Sequence, residues 1–337
     1  MARKKFNRHS DLPGLFDDFN VEMSEPGVAI HPDIEKRAKE EQKSAIETPM
    51  VINKTGSRLL FMSIGSGSSG NCAYIGDYEK GVLIDAGVDM KQVIDSLKAN
   101  GIAISAVKGI CLTHDHGDHI KGAYKLMSKH RHILLYCTPK TLSGIFRRHN
   151  VSRRIKDYHK PIYRETPFDL AGFKITAFEV SHDGTDNMGF IFEKDEHRFA
   201  VATDLGCITD RVDYYMRQAD YIMLESNYDR QMLIEGSYPE YLKARILANT
   251  GHLDNEDAAR FVADIYTPRL KHVFLCHLSN DNNIPEIAVE KMTTALLQTH
   301  NIKVGDGSES IDSRQSDIQI TPLPRYEASR LFIFRKN

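Results

Sequence analysis

The chain has 337 residues, a formal net charge of −2 and five cysteines. That length buries a substantial core, in one large domain or two ordinary ones. So balanced a charge excludes a global pull toward nucleic acid, and any such contact has to be local. Cys72, Cys111, Cys137, Cys207 and Cys276 are odd in number, scattered and free of a CxxC pair, which fits a reducing cytoplasm better than a disulfide framework. The charged opening Met1 to Phe6 is followed by no apolar stretch, so it does not read as a secretory signal. No apolar run approaches membrane-spanning length, and a cytoplasmic protein without membrane insertion is expected.

Residues 1–57 lack periodicity and are broken by Pro13, Pro26, Pro32 and Pro49, so they read as a flexible or loosely docked extension with a short helix around 32–46. Within them Asp11 to Phe16 (DLPGLF) resembles the short leucine–phenylalanine peptides that attach replication proteins to the bacterial sliding clamp. An apolar patch packing on its own domain explains the same letters. A hydrolase domain is expected over 58–301. It opens with a strand at 59–64, a Gly/Ser turn at 65–70, and strands at 72–75 and 82–85. Met90, Val93, Ile94 and Leu97 keep helical spacing behind Asp89 as N-cap. Further strands are expected at 133–136, 173–180, 189–192, 199–203, 221–224 and 273–276, and helices at 140–149, 210–217, 255–266 and 285–298. Residues 302–337 read as a C-terminal tail with two short strands at 318–320 and 331–334.

The most informative stretch is Thr113 to His119 (THDHGDH). Its three imidazoles and its carboxylate Asp118 are too close in sequence for one helical face. A bend at the end of the strand 107–113, eased by Gly117, would turn all four toward one point. Ile120, Ala123, Tyr124 and Met127 then resume helical spacing, so the motif lies on a strand-to-helix loop. Imidazole nitrogen and carboxylate oxygen suit zinc, manganese or iron. A solvated His-rich loop without metal is the competing reading, weakened by four donors in six positions.

These residues match the HxHxDH signature of the metallo-β-lactamase fold superfamily, and other marks of it follow in order. Val82 to Gly87 resembles its first motif, Ser181 to Asp183 the third, Thr203 to Gly206 the fourth, and Leu275 to Ser279 the fifth. Within the superfamily, the stretches Ser63 to Asn71, Leu224 to Asn227, Gly251 to Leu253 and His277 to Asn283 resemble the YycJ/WalJ (VicX-like) branch. The resemblance implies a four-layer αββα sandwich and two divalent metal ions, zinc or manganese. It implies His114, His116 and His182 around one ion, Asp118, His119 and His277 around the other, and Asp204 between them. Asp85 would then fix a ligand ring from behind. It further implies a double-stranded DNA exonuclease with a metal-bridging hydroxide as nucleophile, in a branch tied by genomic context to cell-wall two-component signalling.

His252 is the remaining histidine in a motif shared with the branch. It is read either as general acid or phosphate clamp, or as a residue beside the N-cap of the helix at 255. Ser66, Ser68, Asn71 and Asn282 are candidate donors to phosphate oxygens. The stretch 147–164 carries Arg147, Arg148, Arg153, Arg154, Lys156, Lys160 and Arg164 against Asp157 alone, with Tyr158 and Tyr163 interleaved, and reads as a local nucleic-acid patch or a solvated face.

Only 72 residues separate Asp204 from His277, too few for the large inserted domain of the superfamily's RNA-processing and DNA-repair nucleases. The missing secretion signal and the pairing of Asp118 with His119 disfavour a true β-lactamase. The alternatives left open are a hydrolase of small phosphodiesters or thioesters, and a regulatory partner of a cell-wall two-component or replication complex.

Overall fold

The computed structural model describes residues 57–336; the expected extension, its short helix and the clamp-like peptide at 11–16 lie outside the described residues. Strand β1 (Ser57–Gly65) hairpins into β2 (Cys72–Gly76) and β3 (Gly81–Ile84), followed by helix α1 (Met90–Ala99) and β4 (Val107–Cys111). The short α2 (Gly117–Ile120), α3 (Ala123–Lys129), β5 (Leu134–Cys137), α4 (Pro139–Arg148) and β6 (His159–Pro161) complete the first half. The second half runs β7 (Phe168–Leu170), β8 (Phe173–Glu179), β9 (Met188–Lys194), β10 (His197–Ala202), α5 (Asp210–Met216) and β11 (Tyr221–Glu225). It continues through α6 (Arg230–Glu235), α7 (Glu240–Leu247), α8 (Asn255–Ile265), β12 (His272–Cys276) and α9 (Pro285–Thr299). The chain closes with β13 (Val304–Gly305), α10 (Ile311–Arg314), β14 (Ile318–Pro322) and β15 (Phe332–Lys336).

The strands form two sheets, in the orders β15-β1-β2-β3-β4-β5-β6 and β13-β14-β12-β11-β10-β9-β8-β7. Alternation along each strand divides its side chains between two cores, as a period of two requires. From β1, Leu59 and Phe61 enter the core between the sheets with Phe199 and Val201 of β10 and Phe274 of β12. Leu60, Met62 and Ile64 face the other way, under α1 and α3. Ala200, Ala202, Val273 and Leu275 do the same beneath α8 and α9. Helix on sheet on sheet on helix is the expected αββα sandwich. Asp89 caps α1 as expected, its carboxylate accepting from Lys91 N at 2.8 Å.

The segment read as a tail is part of both sheets. β14 pairs in parallel with β12, His272 opposite Gln319, and β15 pairs antiparallel with β1, Leu59 opposite Phe334. Phe334 stacks on Tyr221 with ring centroids 3.8 Å apart. The tail reading is corrected on the physical ground that Ile318, Ile320 and Phe332 bury their side chains in cores begun far earlier in the chain. Helices α6 and α7 were not expected; each buries only one residue, Leu233 or Ile246, so neither writes a strong apolar period.

His272 is buried against Phe274 and Phe332, with Nε2 2.8 Å from Thr321 Oγ1. Burial, helped by Arg330, pushes its pKa from 6.5 down to about 3. The unfolded chain therefore binds the extra proton in that window, and this group's contribution to stability falls as pH falls below 6.5. One proton corresponds to a slope of about 1.4 kcal/mol per pH unit. His272→Gln should flatten the acid side of the urea-unfolding profile by about that slope. An unchanged profile would show that His272 titrates as freely in the folded chain as in the unfolded one.

Candidate metal centre

The candidate donors gather where strands of both sheets end. β3 and β4 are parallel neighbours in one sheet, and β10, β11 and β12 are parallel neighbours in the other, so their C-terminal ends face one edge of the sandwich. Asp85 follows β3, His114 and His116 follow β4, and Asp118 and His119 open α2. His182 follows β8, Asp204 follows β10, Glu225 ends β11, and His277 follows β12. Asp85, Asp204 and His277 share a left-handed backbone, with φ of 59°, 55° and 54°. Side chains other than glycine adopt that conformation at a cost of order 1–3 kcal/mol and keep it where surrounding structure imposes it, often at functional sites. Gly117, expected to ease the bend, instead starts α2, where a Cβ would meet only the His149 ring at an ordinary contact distance of 3.7 Å. The glycine with a steric role is Gly87, where a Cβ would lie 1.5 Å from the Asp118 carbonyl oxygen.

Three groups of donors converge among the described residues, one of them Asp204, Glu225, His252 and His277, and the other two carry the residues expected as ligands. His114, His116 and His182 converge within 4.8 Å, and so do Asp118, His119, Asp204 and His277. Asp204 lies between them, Oδ2 3.3 Å from His119 Nε2 and Oδ1 3.9 Å from His182 Nε2. The sets fit divalent cations by a test internal to the structure. His114 Nε2 and His277 Nε2 are buried and find no hydrogen-bond partner among the described residues. An orphaned buried polar atom costs about 1–3 kcal/mol, and an ion taking these lone pairs removes that cost.

Four of the five rings, all but His116, are held from behind by their other nitrogen. His119 Nδ1 lies 2.8 Å from Asp85 Oδ2, and Asp85 also accepts from Thr113 N. His114 Nδ1 meets Thr113 Oγ1 at 3.0 Å, and His182 Nδ1 meets the Gly251 carbonyl at 2.9 Å. His277 Nδ1 lies 2.8 Å from Glu225 Oε1, which stands equally close to His252 Nδ1. Such carboxylate and carbonyl partners fix tautomer and orientation.

Burial, with the His182 ring beside it, pushes His116 down to about 4, so it stays neutral near pH 7. Burial would also lower His119 and His277, but the carboxylates around them, Asp204 foremost, hold both well above the usual value. Burial opposes the ionised form of Asp204, yet His277 and His119 hold its pKa well below the usual range. At His252 the Glu225 carboxylate outweighs burial and raises the imidazole.

Sequence reasoning missed Glu225. It is fully buried and accepts from Leu205 N and Leu253 N through Oε2 while Oε1 serves two histidines. Its signal was an acid inside Leu224 to Asn227, a stretch noted for its resemblance and given no role. Asp115, also buried, accepts from Thr185 N and Oγ1 and lies 3.4 Å from Arg148 Nε.

His252 lines the cleft over the centre; the N-cap of α8 is Asp254, whose carboxylate accepts from Glu256 N and Asp257 N. Ser68 is exposed on the same cleft. Two of the other candidate phosphate donors, Ser66 and Asn71, are engaged in holding the site. Ser66 Oγ accepts from His277 N at 3.0 Å. Asn71 Nδ2 reaches Asp118 Oδ2 at 3.1 Å and His119 Nε2 at 3.0 Å. Asn282 is buried beside Ser279. Of the basic stretch, Arg147 reaches Thr185 Oγ1, and Arg148 donates to the Asp183 carbonyl at the centre's rim. Arg153, Arg154 and Lys156 are exposed, Arg153 lying over the Phe146 ring. Arg164 leaves the count of uncompensated cations, because it pairs with Glu179 and Asp186, acids remote from it in sequence.

Fold and donors together define a metal-dependent hydrolase centre at the edge of an αββα sandwich. The chain belongs to the β-lactamase superfamily, whose domain model matches residues 80–277. It is 36% identical over 256 residues to exodeoxyribonuclease YycJ of Bacillus anthracis, covering 76% of this chain and 95% of that protein. It is 34% identical over 236 residues to exodeoxyribonuclease WalJ of Streptococcus pneumoniae serotype 2 (strain D39), covering 70% and 87%. The fold is similar to that of the metallo-beta-lactamase fold protein YhfI from Bacillus subtilis, with a TM-score of 0.56 at 13% identity, covering 83% of this chain and 100% of that one.

Glu225→Gln keeps the shape but removes the charge that orients His277. Chelator competition should show metal retention weakened by about 10–100-fold with the thermal unfolding of the metal-free protein little changed. Metal affinity equal to that of the unaltered protein would exclude Glu225 from supporting the centre.

Proposed function

We propose that the chain is a phosphodiesterase using two divalent cations, zinc or manganese, that trims DNA ends as an exodeoxyribonuclease. The observation that carries this reading is the pair of donor sets joined at Asp204, in a chain whose relatives at 34–36% identity are exodeoxyribonucleases. In it, His114, His116 and His182 would hold one cation and Asp118, His119 and His277 the other, with Asp204 lying between the two groups. When bound, the cations offset the charge of the phosphodiester and make a water acidic enough to attack phosphorus near neutral pH.

The chain's own residues orient and protonate. Asp85, Thr113, Glu225 and the Gly251 carbonyl keep the imidazole lone pairs aimed inward. His252, anchored through Nδ1 to Glu225, keeps its other ring nitrogen for the cleft and donates a proton to the leaving oxygen. Ser68 stands at the mouth to donate to a phosphate oxygen. Arg148 positions the backbone at the rim, and Arg153, Arg154 and Lys156 supply the salt-sensitive attraction. The small volume of the cleft favours the second reading, a hydrolase of small phosphodiesters; the exposed cations favour a polymer.

Metal-loaded protein incubated with end-labelled duplex DNA, beside a chromogenic small phosphodiester, tests the proposal. Mononucleotides should leave the duplex ends only with metal present, and Asp204→Ala should abolish release without unfolding the chain. Small-ester turnover with intact DNA would transfer the assignment to the second reading.

The role of His252 has its own signature. His252→Gln should slow DNA hydrolysis by about 10²–10⁴-fold while costing far less on a nitrophenyl ester, whose leaving group needs no proton. Equal losses on both substrates would remove His252 as the acid.

A further inference from the structure

We infer that the cleft over the metal centre admits a single strand, so that a duplex must open its terminal base pair before the end phosphodiester reaches the metals. The inference rests on the exonuclease reading and adds to it the form in which the substrate is accepted.

The cleft has two walls. One is the centre itself, with His182, His252 and His277; the other is α7, with Leu242, Arg245 and Ile246. Its volume is about 190 Å³, below the roughly 300–1,000 Å³ typical of pockets for drug-sized ligands. A sugar–phosphate unit is of the size such a space takes; a base pair brings a second nucleotide alongside and is not.

The helical wall is held in place from several sides. Ile246 is buried with Tyr228 and Leu233 in a small apolar cluster of its own, against which Tyr238 and Leu242 pack. Lys243 Nζ donates to the Ile234 carbonyl and ties α7 to α6. Arg245 holds Asp183 Oδ2 through Nε at 2.8 Å and Nη2 at 2.7 Å, and Asp183 Oδ1 lies 3.2 Å from His116 Nε2. The Arg245–Asp183 ion pair, with Asp183 in turn beside the neutral His116 ring, therefore links α7 to the donor set. The wall cannot swing away without breaking a pair that also touches the centre.

The lining suits an unpaired nucleotide. The half-buried Leu242 offers apolar surface to a sugar or a base face, and Arg245, already paired with Asp183, keeps further donors of its fork to orient a phosphate. Enzymes that must reach one nucleotide of a duplex commonly draw it out of the stack, and the cost is least where the end is mismatched.

The test uses the full chain. Duplexes differing only in their terminal pair, G·C, A·T or mismatched, carry 2-aminopurine at the terminal or at an internal position. They are bound first with chelator present, then hydrolysed in single turnover after manganese is added. The terminal probe should brighten on metal-free binding while the internal probe does not. The first nucleotide should leave a mismatched end about tenfold faster than a G·C end. Leu242→Ala, which widens the cleft, should narrow that ratio. A silent terminal probe on bound DNA with equal release rates overturns the inference, and an unchanged ratio in folded Leu242→Ala removes α7 as its cause. DNA neither bound nor degraded, with the chromogenic ester still hydrolysed, overturns the nuclease reading itself and the inference with it.

Discussion

Taking a carboxylate out of water costs several kcal/mol unless it is paired and hydrogen-bonded, and this centre withdraws three of them almost completely, at Asp85, Asp204 and Glu225. Each is compensated by imidazole. Asp85 meets His119, Asp204 lies between His119 and His277, and Glu225 serves both His277 and His252. The pairing is incomplete in an instructive way, because His114 Nε2 and His277 Nε2 are left without partners among the described residues. Acids and imidazoles that nearly balance, with two ring nitrogens left unpartnered among the described residues, are what cations would complete. Ion binding therefore adds directly to the stability of the folded state.

That arrangement depends on where strands end. A strand sends alternate side chains to opposite faces, and neither face is the sheet's edge. Turning Asp85, Asp204 and His277 toward the edge takes a change of direction immediately after β3, β10 and β12, which the left-handed conformation supplies at all three. The strain is borne by neighbours that fix the turns. Ser66 Oγ accepts from His277 N, Asp85 N donates to the Cys111 carbonyl, and Arg325 grips the Leu278 carbonyl through Nε and Nη2. Arg325 belongs to the segment between β14 and β15, so the last part of the chain braces a loop that carries a donor.

The legible part of this molecule was what local pattern writes down. The His114 to His119 motif concentrates its donors in one loop, and α1, α4, α8 and α9 announce themselves by apolar spacing with capping residues or a proline near their starts. The illegible part depends on partners distant in sequence. Glu225 looks like any acid at the end of a strand until β11 and β12 pair and bring His277 beside it. Arg164 looks like one more cation of a basic run until folding sets it against Glu179 and Asp186. β14 and β15 were legible as short strands, but only their pairing with β12 and β1 shows that they belong to the two sheets. Asn71 and Ser66 sit in a Gly/Ser turn whose letters suit phosphate binding, yet their hydrogen bonds support the donors instead.

The distribution of positive charge separates attraction from orientation. Arg148 and Arg245 both reach Asp183, and Arg148 also faces Asp115, so much of their charge is already compensated where the substrate would meet them. A compensated arginine adds little to long-range pull, but its planar fork can still set the register of a phosphate against the centre. The charges of that stretch left without ion pairs among the described residues, Arg147, Arg153, Arg154, Lys156 and Lys160, are exposed. On the proposed reading, their attraction would be the portion that salt weakens. On the proposed reading, a chain with almost no net charge would thereby draw in a polyanion and still deliver only its end to a narrow cleft.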